Sequence, residues 1–120
     1  MTLRAVVVDN DPDALDLVVT DLRLEGVDIV ATAVDGVDAI DTCKAHRPDA
    51  VVLDVRMPPG IDGVAVAEVL QRETPDTTIV LYTNHLTDHV LGSARRLGVP
   101  VVRKGNLRAL RRALTVSSGR

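Results

Sequence analysis

The chain has 120 residues, 46 % of them hydrophobic and 26 % charged, with a formal net charge of −3. That length and balance specify one globular domain with room for a core, and they exclude disorder. Tyr82 is the sole aromatic residue, so aliphatic side chains must fill the core, and neither stacked bases nor an aromatic cofactor cage is available.

The N-terminal segment runs directly into a first strand, Leu3–Val8, with no signal-peptide pattern. Asp9-Asn10-Asp11-Pro12-Asp13 follows, in which Asp11 can cap a helix whose first turn accepts Pro12. Leu15, Val18, Val19 and Leu22 recur at helical spacing, and Gly26 ends that helix. Asp28–Ala33 reads as a second strand and Asp35-Gly36 as a turn. A helix then runs to about His46 with Val37, Ile40 and Cys43 inward. Ala50–Leu53 is a short, wholly apolar run of the kind found in buried parallel strands. After Asp62-Gly63 comes a third helix with Ala65, Val66, Val69 and Leu70 as its apolar face, ended by Thr74-Pro75-Asp76. Thr78–Tyr82 is the fourth strand, closed by Thr83-Asn84-His85. Leu86, Val90, Ala94 and Leu97 mark the fourth helix, stopped by Gly98. Val99–Val102 is the fifth strand, and Pro100 assigns it to a sheet edge. Leu107, Leu110 and Leu114 mark a closing helix. Residues 1–116 form the domain, and 117–120 form a tail or the start of a linker.

Five strands alternating with five helices over short connections specify an α/β fold. It is a doubly wound, five-stranded parallel sheet, (βα)₅, with helices on both faces. No apolar run approaches the roughly 18 residues of a membrane span. The single Cys43 rules out an internal disulfide, fits a reducing cytoplasmic setting, and lies in an apolar helical pattern as core filling.

Such a sheet delivers every strand's carboxyl end to one rim, where open α/β folds place their sites. Asp9, Asn10 and Asp11 end strand one, Asp54 ends strand three, Thr83 ends strand four, and Lys104 follows strand five. Clustered carboxylates demand a cation or a proton. Oxygen ligands of this kind suit Mg²⁺, with Mn²⁺ as a substitute. A carboxylate can also accept a phosphoryl group, with an ammonium and a hydroxyl to stabilise the transferring oxygens. Taken singly, each residue has a bland explanation as a cap or a strand-end charge. The ordered set does not.

At these residues the chain resembles the receiver domain of two-component response regulators, over residues 3 to about 116. The resemblance implies a flavodoxin-like strand order 2-1-3-4-5. It also implies that a sensor histidine kinase or phosphotransfer protein donates a phosphoryl group to Asp54 with Mg²⁺ bound. Thr83 and Lys104 would contact the phosphoryl oxygens and change the face made by helix four, strand five and helix five. The implied metal set is Asp9, Asn10, Asp11, Asp54 and the backbone carbonyl of Arg56. The domain would catalyse its own phosphorylation and dephosphorylation without being a conventional turnover enzyme. His85 is read as a surface residue.

Two positions depart from the family pattern. Asn10 stands where the second acid of the strand-one pair is expected, so metal affinity should fall. Val101 stands where many members carry an aromatic switch, and Tyr82 does not substitute for it. These departures keep a phosphorylation-independent pseudo-receiver, a protein-interaction module, open as the alternative. A metal-dependent hydrolase lacks a histidine among the strand-end acids, and a flavodoxin-like cofactor carrier would not place acids after strand one.

Charge is segregated: residues 1–88 carry all 17 acids and a balance of −11, whereas 89–120 carry eight bases and no acid. Arg108, Arg111 and Arg112 are expected on the outer side of helix five as an unpaired basic face, with Arg95 and Arg96 at the end of helix four. That face fits an output domain or an acidic protein partner better than DNA, for which no recognition unit is present. Like charge there predicts mainly monomer, with a phosphorylation-dependent dimer as the other state. The family resemblance implies that the helix-one side, holding Asp13, Asp16 and Asp21, is the kinase-facing side.

Overall fold

A computed structural model describes residues 2–58 and 60–117, with side chains up to 115. The elements run β1 (Arg4–Val8), α1 (Pro12–Leu24), β2 (Asp28–Ala33), α2 (Gly36–His46), β3 (Ala50–Leu53), α3 (Gly63–Glu73), β4 (Thr78–Thr83), α4 (Asp88–Leu97), β5 (Val101–Arg103) and α5 (Leu107–Ser117). The five strands form one parallel sheet in the order β2-β1-β3-β4-β5. The α5 helix extends one residue into the stretch read as a tail, and residues 118–120 lie outside the described residues.

Side-chain alternation along each strand builds two cores. Val6, Val8, Val51, Leu53, Ile79 and Leu81 pack against α2, α3 and α4. Ala5, Val7, Val52, Val80, Tyr82 and Val102 pack against Val18, Val19 and Leu22 of α1 and Leu110 and Leu114 of α5. Burial of each such leucine contributes about 1.5–3 kcal/mol. Cys43 is fully buried in the first core, and burial pushes its thiol up to about 12. Among the described residues no helix is long and apolar enough to cross a membrane.

Two helices sit rotated from their expected faces. Val37 is exposed, and Gly36, Ala39 and Cys43 turn inward with Ile40 at the edge. In α3 the inner face is Gly63, Val64, Val66, Ala67 and Leu70, leaving Ala65 and Val69 half-buried. In both cases a glycine sits where a side chain would not fit: a Cβ at Gly36 would press on Ile61 and Val66, and one at Gly63 on the backbone of Asp54 and Val55. The α4 helix begins at Asp88 rather than Leu86, because the Thr87 side chain accepts the Val90 N–H at 3.2 Å and caps it. Asp35 and Asp62 act in the same way, as caps of α2 and α3. Pro100 precedes β5 rather than lying in it, and its carbonyl accepts the Leu81 N–H at 3.0 Å.

Candidate functional site

Strand register brings the site together. Val8 pairs with Leu53 and Leu53 with Leu81, so the residues that follow, Asp9 and Asp54, leave adjacent strands at one level. Thr83 pairs with Arg103, so Lys104 emerges beside β4. The backbone continues this alignment beyond the strands. Asp54 N–H donates to the Val8 carbonyl at 3.2 Å, and Lys104 N–H donates to the Thr83 carbonyl at 3.1 Å.

Asp9 and Asp54 are buried, at 3 % and 4 % exposure. The Lys104 ammonium sits between them, 2.8 Å from Asp9 Oδ2 and 2.9 Å from Asp54 Oδ2. Each carboxylate is steadied at its other oxygen by a backbone N–H. Asp9 Oδ1 accepts from Asp11 at 2.9 Å, and Asp54 Oδ1 accepts from Val55 at 2.7 Å. Burial holds the Asp9 carboxyl above the usual carboxylate range, against the lowering pull of Lys104. Burial also pulls the Lys104 ammonium down, but its bonds to Asp9 and Asp54 outweigh that and raise it. Two buried anions thus share one half-buried cation.

The remaining candidates divide. Thr83 is fully buried, and its Oγ1 accepts the His85 N–H at 3.0 Å, which leaves the hydroxyl hydrogen to be donated. His85 therefore takes part through its backbone. Asn10 is exposed and reaches across the rim, its amide nitrogen 3.5 Å from the Pro58 carbonyl. Asp11 turns outward, where it caps α1 by accepting the Asp13 N–H at 3.1 Å. Arg56 is exposed between buried Val55 and Met57.

The model of the response regulator receiver domain matches residues 5–112. The chain belongs to that family. The receiver is 41 % identical over 91 residues to the transcriptional regulatory protein PrrA of Mycobacterium tuberculosis, covering 74 % of this chain and 38 % of that protein. The oxygen regulatory protein NreC of Staphylococcus epidermidis is 42 % identical over 59 residues, covering 49 % and 27 %. This receiver therefore spans well under half the length of these curated relatives. Among solved structures, the signal receiver domain of NarL from Mycobacterium tuberculosis superposes with a TM-score of 0.88 at 32 % identity, covering 99 % of this chain and 98 % of that one. CheY in a CheX-CheY-BeF₃-Mg²⁺ complex from Borrelia burgdorferi superposes at 0.86 with 21 % identity, covering 95 % and 88 %, which is a likeness of fold.

Receiver domains generally bind Mg²⁺ in the acidic pocket of this rim. Here the donor chemistry fits a hard cation that takes one or two carboxylates and keeps several waters, since Asp9 and Asp54 supply the carboxylates. It does not form a cage. Among the described residues no three His, Cys, Asp or Glu side chains are grouped to hold a metal. The outward turn of Asp11 and the neutral amide of Asn10 account for that.

Reading the sequence alone missed three features of this receiver. Tyr82 is buried, and its phenol oxygen accepts the Gly105 N–H at 2.8 Å. The rule that a buried tyrosine needs a partner for its hydroxyl was the available signal. Arg111, assigned to an unpaired outer face, instead turns to α1, where it pairs with Glu25 and lies 3.6 Å from Asp21 Oδ1. Asp21 accordingly faces α5 and not the outward side held by Asp13 and Asp16. Arg96 also has an acidic partner, Glu68 of α3 at 3.4 Å.

Proposed function

We propose that this receiver takes a phosphoryl group from a phosphohistidine onto Asp54 and relays the change through the α4–β5–α5 face. The observation that carries the reading is the buried Asp54 carboxylate with the Lys104 ammonium 2.9 Å away. An Asp54 oxygen forms the new P–O bond as the P–N bond to the donor imidazole breaks; the bond pair stays on the imidazole nitrogen, which takes up a proton from water. Lys104 shifts its hydrogen bond from the carboxylate to a phosphoryl oxygen, offsetting charge that builds in a water-poor site. Thr83 donates its hydroxyl hydrogen to another phosphoryl oxygen. Asp9 keeps Lys104 on the rim. Mg²⁺, when bound, neutralises the same oxygens; Asp9, Asp54, the Asn10 amide oxygen and the Arg56 carbonyl would hold it, with Asp11 kept on its cap. Mn²⁺ offers the same coordination chemistry. The donor is a sensor histidine kinase or phosphotransfer protein in the cytoplasm. Receiver domains act with such proteins, and the curated relatives are bacterial regulators.

Output is assigned to Arg95, Arg103, Arg108 and Arg112, for which no acidic partner is described among the described residues. An acidic partner or an output domain would meet them. Val101 is a small aliphatic, so the relay passes through the Thr83 and Lys104 loops and not through a swinging ring.

The test is intact-mass measurement after incubation with a small phosphodonor and Mg²⁺. Wild type should gain one phosphoryl group and Asp54→Asn none. Absence of an adduct at saturating donor would favour the second reading, a phosphorylation-independent interaction module. The neutral Asn10 supports that alternative.

A further inference from the structure

The residues that carry Lys104 to the site form a tight turn. Asn106 N–H donates to the Arg103 carbonyl at 3.1 Å, closing a four-residue turn with Lys104 and Gly105 at its centre. Gly105 has φ +94°, the conformation that a type II turn demands at its third position. In types I and II the central peptide, here Lys104–Gly105, points in opposite directions. The Gly105 N–H meets the Tyr82 hydroxyl at 2.8 Å in the observed direction. The preceding N–H, that of Lys104, is taken by the Thr83 carbonyl at 3.1 Å. Two consecutive residues of β4 therefore grip two consecutive N–H groups of the lysine turn. Beyond it, Asn106 caps α5 by accepting the Ala109 N–H at 3.1 Å, so the turn is anchored at both ends.

The Tyr82 ring is 4 % exposed and packed with Val80, Val102 and Leu110 in the second core, so its oxygen is a fixed point and not a mobile one. The Lys104 side chain must span from this turn to two carboxylates at 2.8 and 2.9 Å. The bonds from Thr83 and Tyr82 pin the backbone of the turn, and with it the Lys104 Cα, against β4; freeing Gly105 from Tyr82 would let the turn shift and carry the ammonium off that double bridge. From this geometry we infer that Tyr82 is a positioning residue: its hydroxyl anchors the turn that holds the Lys104 ammonium between Asp9 and Asp54. The consequence for phosphoryl transfer rests on the function proposed above, but the positioning itself does not.

Tyr82→Phe deletes the hydroxyl and keeps the ring in the core. The Gly105 amide should then exchange with solvent markedly faster, while amides of β1 and β3 keep their protection. With a small phosphodonor, the maximal rate constant for Asp54 modification should fall about tenfold, since sub-ångström misplacement of a reacting group is costly. Donor half-saturation should stay unchanged. In a Lys104→Met background the same substitution should change nothing further, because Tyr82 acts through the lysine. Two results would overturn the inference: unchanged Gly105 exchange in Tyr82→Phe, or an equal rate loss in the presence and absence of Lys104. If wild type accepts no phosphoryl group, the proposed function fails on its own. The positioning role is then decided by Gly105 exchange and by whether the urea midpoints of the 82/104 double-mutant cycle are non-additive.

Discussion

Gly63 opens α3 directly beneath the site, and its N–H donates to the Val55 carbonyl at 2.7 Å. A Cβ there would overlap the Asp54 carbonyl oxygen. It would also stand 2.8 Å from the Val55 Cα and 2.9 Å from the Asp54 carbonyl carbon, where ordinary contact begins at 3.4 Å. All three neighbours are backbone, so no side chain can swing aside and the chain at Asp54 must move by half an ångström or more. Overpacking of this kind costs typically 1–3 kcal/mol, and a clash with backbone alone belongs at the upper end. Gly63→Ala should therefore lose about 3 kcal/mol, less a few tenths regained from helix propensity. Gly92 supplies the opposing control: it lies inside α4 with nothing within 4 Å of its Cβ position. Gly92→Ala should gain about 0.5–1 kcal/mol. Urea denaturation followed by circular dichroism reads both, with unchanged slope and midpoints moving in opposite directions. A Gly63→Ala midpoint at or above wild type would refute the close-approach argument.

Asn10→Asp should tighten Mg²⁺ binding about tenfold by adding a charged oxygen ligand. Without metal it should cost on the order of 1 kcal/mol through carboxylate crowding, and calorimetric titration paired with urea melts reads both effects. Arg111→Gln should cost about 1 kcal/mol by separating α5 from Asp21 and Glu25; the loss should shrink in high salt if it is electrostatic. Cys43, fully buried with its thiol pushed up to about 12, should resist an aromatic disulfide reagent in the folded protein and react at once in urea.

Strands were the most legible part of the sequence. Ala50–Leu53 and Asp28–Ala33 have the bounds read from the sequence: the first is buried on both faces, which leaves little ambiguity about where it stops, and the second is set off by Gly26 before it and Asp35-Gly36 after it. Helix faces were less legible where small residues do the packing. Gly36, Ala39 and Ala67 carry little hydrophobic signal, yet they sit innermost, while the bulkier Val37 faces solvent. At the rim, the convergence of Asp9, Asp54, Thr83 and Lys104 followed from topology alone. The outward turn of Asp11 did not, because one aspartate can serve either as a cap or as a ligand, and local backbone geometry decides. The pairing of Arg111 across to α1 was hidden for a related reason. Helical spacing fixes which way a residue points, but not what the neighbouring helix presents there.

The brevity of β5 also governs how the molecule meets copies of itself. An open sheet grows into a fibre only if both of its edges can accept a strand. On one side the edge is β2, six residues long. On the other it is three residues, preceded by a proline without an N–H and ending in the exposed, charged Arg103. Edge-to-edge stacking can then at most join two β2 strands into a closed pair, with no second edge from which to propagate. At the high local concentrations of a crowded cell, a chain built this way should stay dispersed even when its sheet is momentarily uncovered.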